Sequence, residues 1–141
     1  MASFTFDSYW DDKDRGNIIP ATHTFRVMLI NAAGVAAANR GTWTKRSDCV
    51  AYEITATNYT AGGKVCAVSV FKDVVAHRQT VIYQSVNWID FVGSAAGAII
   101  YRARGGAASA DELVSLNDFG AVVTISSGPM VVADNNSTLQ H

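Results

Sequence analysis

The clearest signal along this chain is alternation. In "HTFRVMLI", from residue 23, Phe25, Val27 and Leu29 fall on one side and Thr24, Arg26 and Met28 on the other, the period of two that marks a half-buried strand. Beyond residue 50 come "VAYEITA", "KVCAVSVFK", "QTVIYQSVNWIDFV", "GAIIYRAR", "ELVSLNDF", "AVVTISSG" and "MVVAD". These are short runs rich in β-branched and aromatic residues, separated by Gly, Asp, Asn or Ser. A parallel sheet would need crossover helices of about a dozen residues between strands, and the gaps here are too short and too rich in glycine. The pattern therefore predicts an all-β fold, an antiparallel, jelly-roll-like β-sandwich, with Phe25, Val27, Leu29, Trp88, Ile100 and Ile125 in its core.

Only one stretch reads as a good helix. Residues 7 to 16, "DSYWDDKDRG", carry acid at the front and a glycine at the back, which predicts a short N-terminal helix. Residues 31 to 48 are interrupted by Gly34 and Gly41 and read as a loop with local turns. The closing "NNSTLQH" has no periodicity. With residues 1 to 6 it is expected to form a flexible arm on a single domain spanning residues 1 to 141.

Composition narrows the partners. Eleven basic against 12 acidic residues give a formal net charge of −1, without the basic excess of a nucleic-acid-binding protein. No apolar run reaches the ~18 to 20 residues of a spanning helix, and "MASFTFDSYWDDKD" has no secretory pattern, so neither membrane nor export is expected. An apolar fraction of 49% beside only 16% charged residues leaves a sparse charge coat, which favours an assembled protein, a homo-oligomer docked on a second protein. The contacts are expected from unmatched aromatic residues: Phe4, Phe6, Tyr9 and Trp10 near the N terminus, and Trp43 on a glycine-flanked loop, where an indole is either a plug over the core or an interface anchor.

Candidate chemistry adds little. "YTAGGKVCAVSVFKD", residues 59 to 73, hints at a phosphate loop, but no glycine stands at the Walker spacing, Val65 follows Lys64 where Ser or Thr is needed, and the sequel reads as strand. Gly62 and Gly63 instead predict a turn that reverses or switches the strand, with Tyr59 packed beneath and Lys64 in water. Asp11, Asp12 and Asp14 miss the calcium-loop spacing, since counting from Asp12 glycine comes fifth and His23 twelfth. His23, His77 and His141 are too scattered to be metal ligands. Cys49 and Cys66 read as free buried thiols, and Cys66 lies in an apolar run where a thiol stays inert. The aromatics Trp88, Phe91, Tyr101 and Phe119 read as core. No catalytic residue, cofactor or metal is expected.

The order of segments carries a resemblance. A glycine-ended acidic helix, then "THTFRVMLI", "AYEITATNYTAGGK", "VNWIDFVGSAAGAIIYRARG", "ELVSLNDFG" and "VVTISSGPMV" resembles a family of small structural proteins of tailed bacteriophages. The resemblance covers most of residues 8 to 133. The YxxxGxxYxxGG-like turn of that family is matched by Tyr52, Tyr59, Gly62 and Gly63, with Ala56 in place of the middle glycine, and its AxIY strand by Ala98 to Tyr101. The resemblance implies a virion protein without enzymatic activity, assembled in the host cytoplasm. Its partners would be itself and a major capsid or tail protein. Its role would be capsid decoration or cementing, with a tail or fibre component carrying a receptor- or carbohydrate-binding loop as the alternative.

Overall fold

The computed structural model describes residues 3–133 and 135–140. Eight strands and two short α-helices follow one another as β1 (Phe4–Thr5), α1 (Asp7–Asp14), β2 (Phe25–Ile30), α2 (Ala32–Ala37), β3 (Lys64–Cys66), β4 (Val68–Asp73), β5 (Arg78–Tyr83), β6 (Val86–Arg102), β7 (Leu113–Val132) and β8 (Asn135–Gln140). They form two sheets, ordered β1-β7-β6-β2-β3 and β4-β5-β8, and each ladder in both is antiparallel. The fold is thus the expected all-β, sandwich-like one with a short N-terminal helix, its strands divided five and three.

The two sheets are joined at neighbouring corners. The chain leaves the large sheet after Cys66, turns at Ala67 into β4, and returns through Gln84 and Ser85 into β6. Gln84 N donates to Ala67 O at 2.9 Å, and Cys66 Sγ donates to Gln84 O at 3.2 Å, so each crossing satisfies the backbone of the other. The run "KVCAVSVFK", continuous in hydropathy, is therefore two strands in two sheets.

The large sheet is covered on both faces. On one side Phe25, Val27, Leu29, Trp88, Ile100 and Met130 pack against Val81 and Tyr83 of the small sheet. On the other, Met28, Ile30, Ile99, Leu113 and Leu116 pack under Val35 of α2, Cys49 and Phe6. Met28 is fully buried, contrary to the one-sided reading of β2, because α2 and the segment after it roof the second face. Of the expected core residues, Phe25, Val27, Leu29, Trp88 and Ile100 are buried and Ile125 is half-buried.

Where the sequence suggests a chain of short strands after residue 85, the structure has two long ones. β6 runs for 17 residues and β7 for 20, paired from Val86↔Val132 to Tyr101↔Leu113. Their register shifts at four places, and the residues that looked like turn punctuation sit at these irregularities: Asp90 (φ 52°), Gly93, and Gly120 (φ 81°). Pro129 is tolerated within β7 because this part of the strand is an edge, since β1 covers only Ser115 and Leu116.

Three local differences have physical causes. Residues 32–37 are helical where a loop was expected, because Asn31 Oδ1 accepts the Gly34 amide at 2.9 Å and caps a run of alanines. "VAYEITA" forms a 3₁₀ turn, Val50–Tyr52, followed by single bridges Ile30↔Glu53 and Thr57↔Val92. The ends are not free arms in the described residues: Phe4 and Thr5 pair with β7, and the backbone of Asn135–Gln140 pairs with β5. Residues 1, 2 and 141 lie outside the described residues, and with them His141.

Candidate functional site

The double-glycine turn is held by a dense set of hydrogen bonds. Glu53 Oε2 accepts from the Tyr59 hydroxyl at 2.6 Å and from Gly62 N at 2.7 Å, while the Tyr59 oxygen accepts from Leu29 N at 3.0 Å. The Tyr101 hydroxyl donates to Gly62 O, and Arg26 donates to Gly63 O at 2.9 Å. Burial first, and then the Glu53 carboxylate, raise the Tyr59 phenol far above its ordinary value; burial also pushes Tyr101 up to about 12. Both tyrosines are thus held as neutral donors.

This geometry answers the phosphate question. The Gly62 amide is given to a carboxylate and the Gly63 amide donates to Thr60 O at 3.0 Å, so the donors an anion would use are engaged within the loop. Tyr59 packs against Trp88, with ring centroids 5.7 Å apart, as the turn reading required. Lys64 is exposed, and its Nζ donates to Asn87 O at 2.6 Å, tying β3 to β6. Beside this turn an open cleft of about 460 Å³ is lined by Asn58, Thr60, Lys64, Trp88, Ile89 and Asp90.

A second cluster escaped the sequence reading. Asp111 and Glu112 are almost completely buried at the start of β7. Arg104 grips Glu112 with two bonds of 2.8 and 2.7 Å, with Lys45 and Arg102 at 3.7 and 3.8 Å. Asp111 accepts from Arg46 Nε at 2.8 Å and from Arg104 N at 2.9 Å. Burial works to raise the Glu112 pKa, but the Arg104 bonds, a backbone bond and the neighbouring cations outweigh it and leave the carboxyl below its ordinary value. Arg46 also lies over the Tyr101 ring, 5.0 Å from its centroid. The cluster is a clip joining residues 45–46 to both ends of the β6–β7 connection. Its only sequence signal is two arginines before a glycine pair and two acids after it, in "YRARGGAASADEL".

The remaining candidates are dispersed. Asp11 pairs with Arg15 at 2.9 Å, and Asp12 is buried with its carboxylate on Asn17 Nδ2 at 3.1 Å. His23 Nδ1 accepts from Ile19 N at 3.0 Å, and His77 stands at the β4–β5 hairpin with φ 55°. Both cysteines are buried thiols; desolvation raises Cys49 to about 12. Among the described residues no three His, Cys, Asp or Glu side chains converge as a metal site.

The aromatics expected to meet a partner are largely occupied inside the protomer. Phe6 and Tyr9 are fully buried, one on each side of the large sheet, and the Tyr83 hydroxyl donates to the Tyr9 oxygen at 3.1 Å across to the small sheet. They are unavailable as contact residues on this surface. Trp10 is half-buried and edge-on to Tyr9 at 5.0 Å, and Phe4 packs edge-on against Phe6 at 5.1 Å. Trp43 is the plug of its two readings, stacked between Phe6 (6.5 Å) and Tyr52 (5.9 Å) over the apolar core on the α2 side of the large sheet. Trp43→Ala should cost about 2 to 3 kcal/mol of stability, less than a fully buried tryptophan, and a urea midpoint within error of wild type would show that the stack is idle.

The exposed apolar surface lies elsewhere. Val74 and Val75 at the β4–β5 turn are 78% and 87% exposed. Phe71, Ile89, Val122 and Val131 are more than half exposed. The arrangement is that of a β-sandwich whose polar clusters bond the fold together and whose apolar projections face outward. No family model, curated protein or solved structure matches the chain.

Proposed function

We propose that the protein is a structural component of a bacteriophage virion, a decoration or cement protein that self-associates and docks on a major capsid protein. The observation that carries this reading is the hairpin turn Asp73–Arg78, where a solvated turn would ordinarily be polar but Val74 and Val75 stand in water. Such projections favour contacts between proteins. The sequence resemblance to small virion proteins supplies the kind of assembly. A role in cementing needs only surface complementarity between copies and shell, which a rigid two-sheet body with projecting loops provides.

Labelling this chain and imaging purified particles tests the proposal: regular density at capsomer positions is expected, and particles without the chain would end the reading. A tail or fibre component is the second reading. It draws on the open cleft beside the double-glycine turn, where Trp88, itself mostly buried, lines the wall with the polar residues Asn58, Lys64 and Asp90, a mixture suited to a sugar. Label at the tail with glycan-array binding would favour it.

A further inference from the structure

We propose that the tip of the β4–β5 hairpin is a plug that seats in the apolar hollow between α2 and the β6–β7 ribbon of a second copy of the chain. This rests on the self-association in the reading above and goes beyond it by naming both surfaces.

The plug is built to hold its valines out. Asp73 Oδ1 accepts from Val75 N at 3.1 Å and Ala76 N at 3.0 Å, fixing the turn from within, so Val74 and Val75 project while the acid is turned onto the backbone. Lys72 and Arg78 flank the tip on the two strands, where Lys72 pairs with Gln79 and Asp73 with Arg78. The plug is therefore two isopropyl groups in a collar where Lys72 and Arg78 outnumber Asp73, leaving one positive charge in excess.

The hollow has the complementary make-up. It measures about 300 Å³ and is lined by Ala32, Val35 and Ala36 of α2, Ala96 of β6, and Ala121 and Val122 of β7. Its one charged lining residue is Asp118, whose Oδ1 also accepts the Gly120 amide at 2.8 Å. Alanines leave room beside Val35 and Val122, and the wall residue of negative sign suits a collar carrying Lys72 and Arg78. A partner with an acidic or bulky tip would fit it less well.

Position excludes a plug folding into its own hollow. The small sheet covers the face of the large sheet that carries Phe25, Val27 and Leu29, whereas α2 covers the opposite face with Met28 and Ile30. Plug and hollow thus lie on opposite sides of the protomer. The contact is head-to-tail, and it makes rings or open arrays rather than a closed two-fold pair.

The experiment uses the purified full chain, without particles, in sedimentation and light scattering over a concentration series. It can fail while the particle images succeed, and the reverse. Val75→Asp puts a charge on the plug and Ala121→Glu fills the hollow; both positions are exposed, and circular dichroism checks the fold. Should Ala121→Glu not fold, Val122→Glu serves. Each variant alone should raise the dissociation constant about tenfold or more. An equimolar mixture should recover association with wild-type affinity but stop at pairs, because the intact hollow of one meets the intact plug of the other. A wild-type chain that stays monomeric at every concentration overturns the proposal. So does a variant that associates like wild type, or a mixture that recovers nothing.

Discussion

Gly63→Ala should be the most damaging small substitution in the chain, removing about 4 kcal/mol or more of stability. The residue has φ 79°, where an L side chain costs about 1 to 2 kcal/mol by itself. The larger part is steric. A Cβ at this position would press on the Val27 carbonyl, 2.6 Å from its carbon and 2.8 Å from Met28 Cα, and these belong to the central strand β2, which cannot retreat without breaking its ladder to β6. Gly105→Ala is the control, because φ is 83° there and nothing lies within 4 Å of the added carbon. Its loss should stay near the backbone cost of about 1 to 2 kcal/mol. Equal urea midpoints for the two variants would refute the close-approach argument and reduce the double glycine to an ordinary turn.

Glu112→Gln should cost about 3 kcal/mol near neutral pH, since it keeps the shape but strips the charge that Arg104, Lys45 and Arg102 surround. It should also change the acid limb of the stability curve. The folded Glu112 pKa lies below its ordinary value of 4.5, so the folded state favours the ionised form. The sign follows from linkage: the contribution is fully present above pH 4.5 and is lost as pH falls through the lower folded value. Wild type should therefore lose stability more steeply than Glu112→Gln below pH 4.5, and the two curves should converge in acid. Parallel curves down to pH 2 would mean that the clip does not couple protonation to folding.

What the sequence disclosed and what it hid divide along physical lines. Strand β2 was legible because alternation of Phe25, Val27 and Leu29 with Arg26 is strong. Its second covered face was not, because a period of two cannot distinguish a roofed side from a wet one when Arg26 spends its charge on the Gly63 carbonyl. The long strands β6 and β7 look like several pieces in the sequence, since Gly, Ser, Asp and Asn mark bulges and turns alike; only the ladder tells them apart. Helix α2 is too short to show a helical period, although Asn31 before the alanines is a cap signal in retrospect. Tyr59 and the two glycines are legible as a turn, while the roles of Glu53 and Tyr101 depend on contacts across β2 and β6 that no local rule supplies. The same holds for Phe6 and Tyr9, which as aromatic residues near a chain end looked available and are core.

The pairing of Phe4 with Leu116 has a consequence for how the molecule is made. Strand β1 leaves the ribosome before the rest of its sheet, yet its place is the outer flank of β7, which emerges after every other strand of that sheet. Strand β2 likewise finds β3 early but waits for β6 to close its other side. The nascent chain therefore holds Phe4, Phe6 and Met28 without their final neighbours until β6 and β7 have emerged, and the large sheet can close only then.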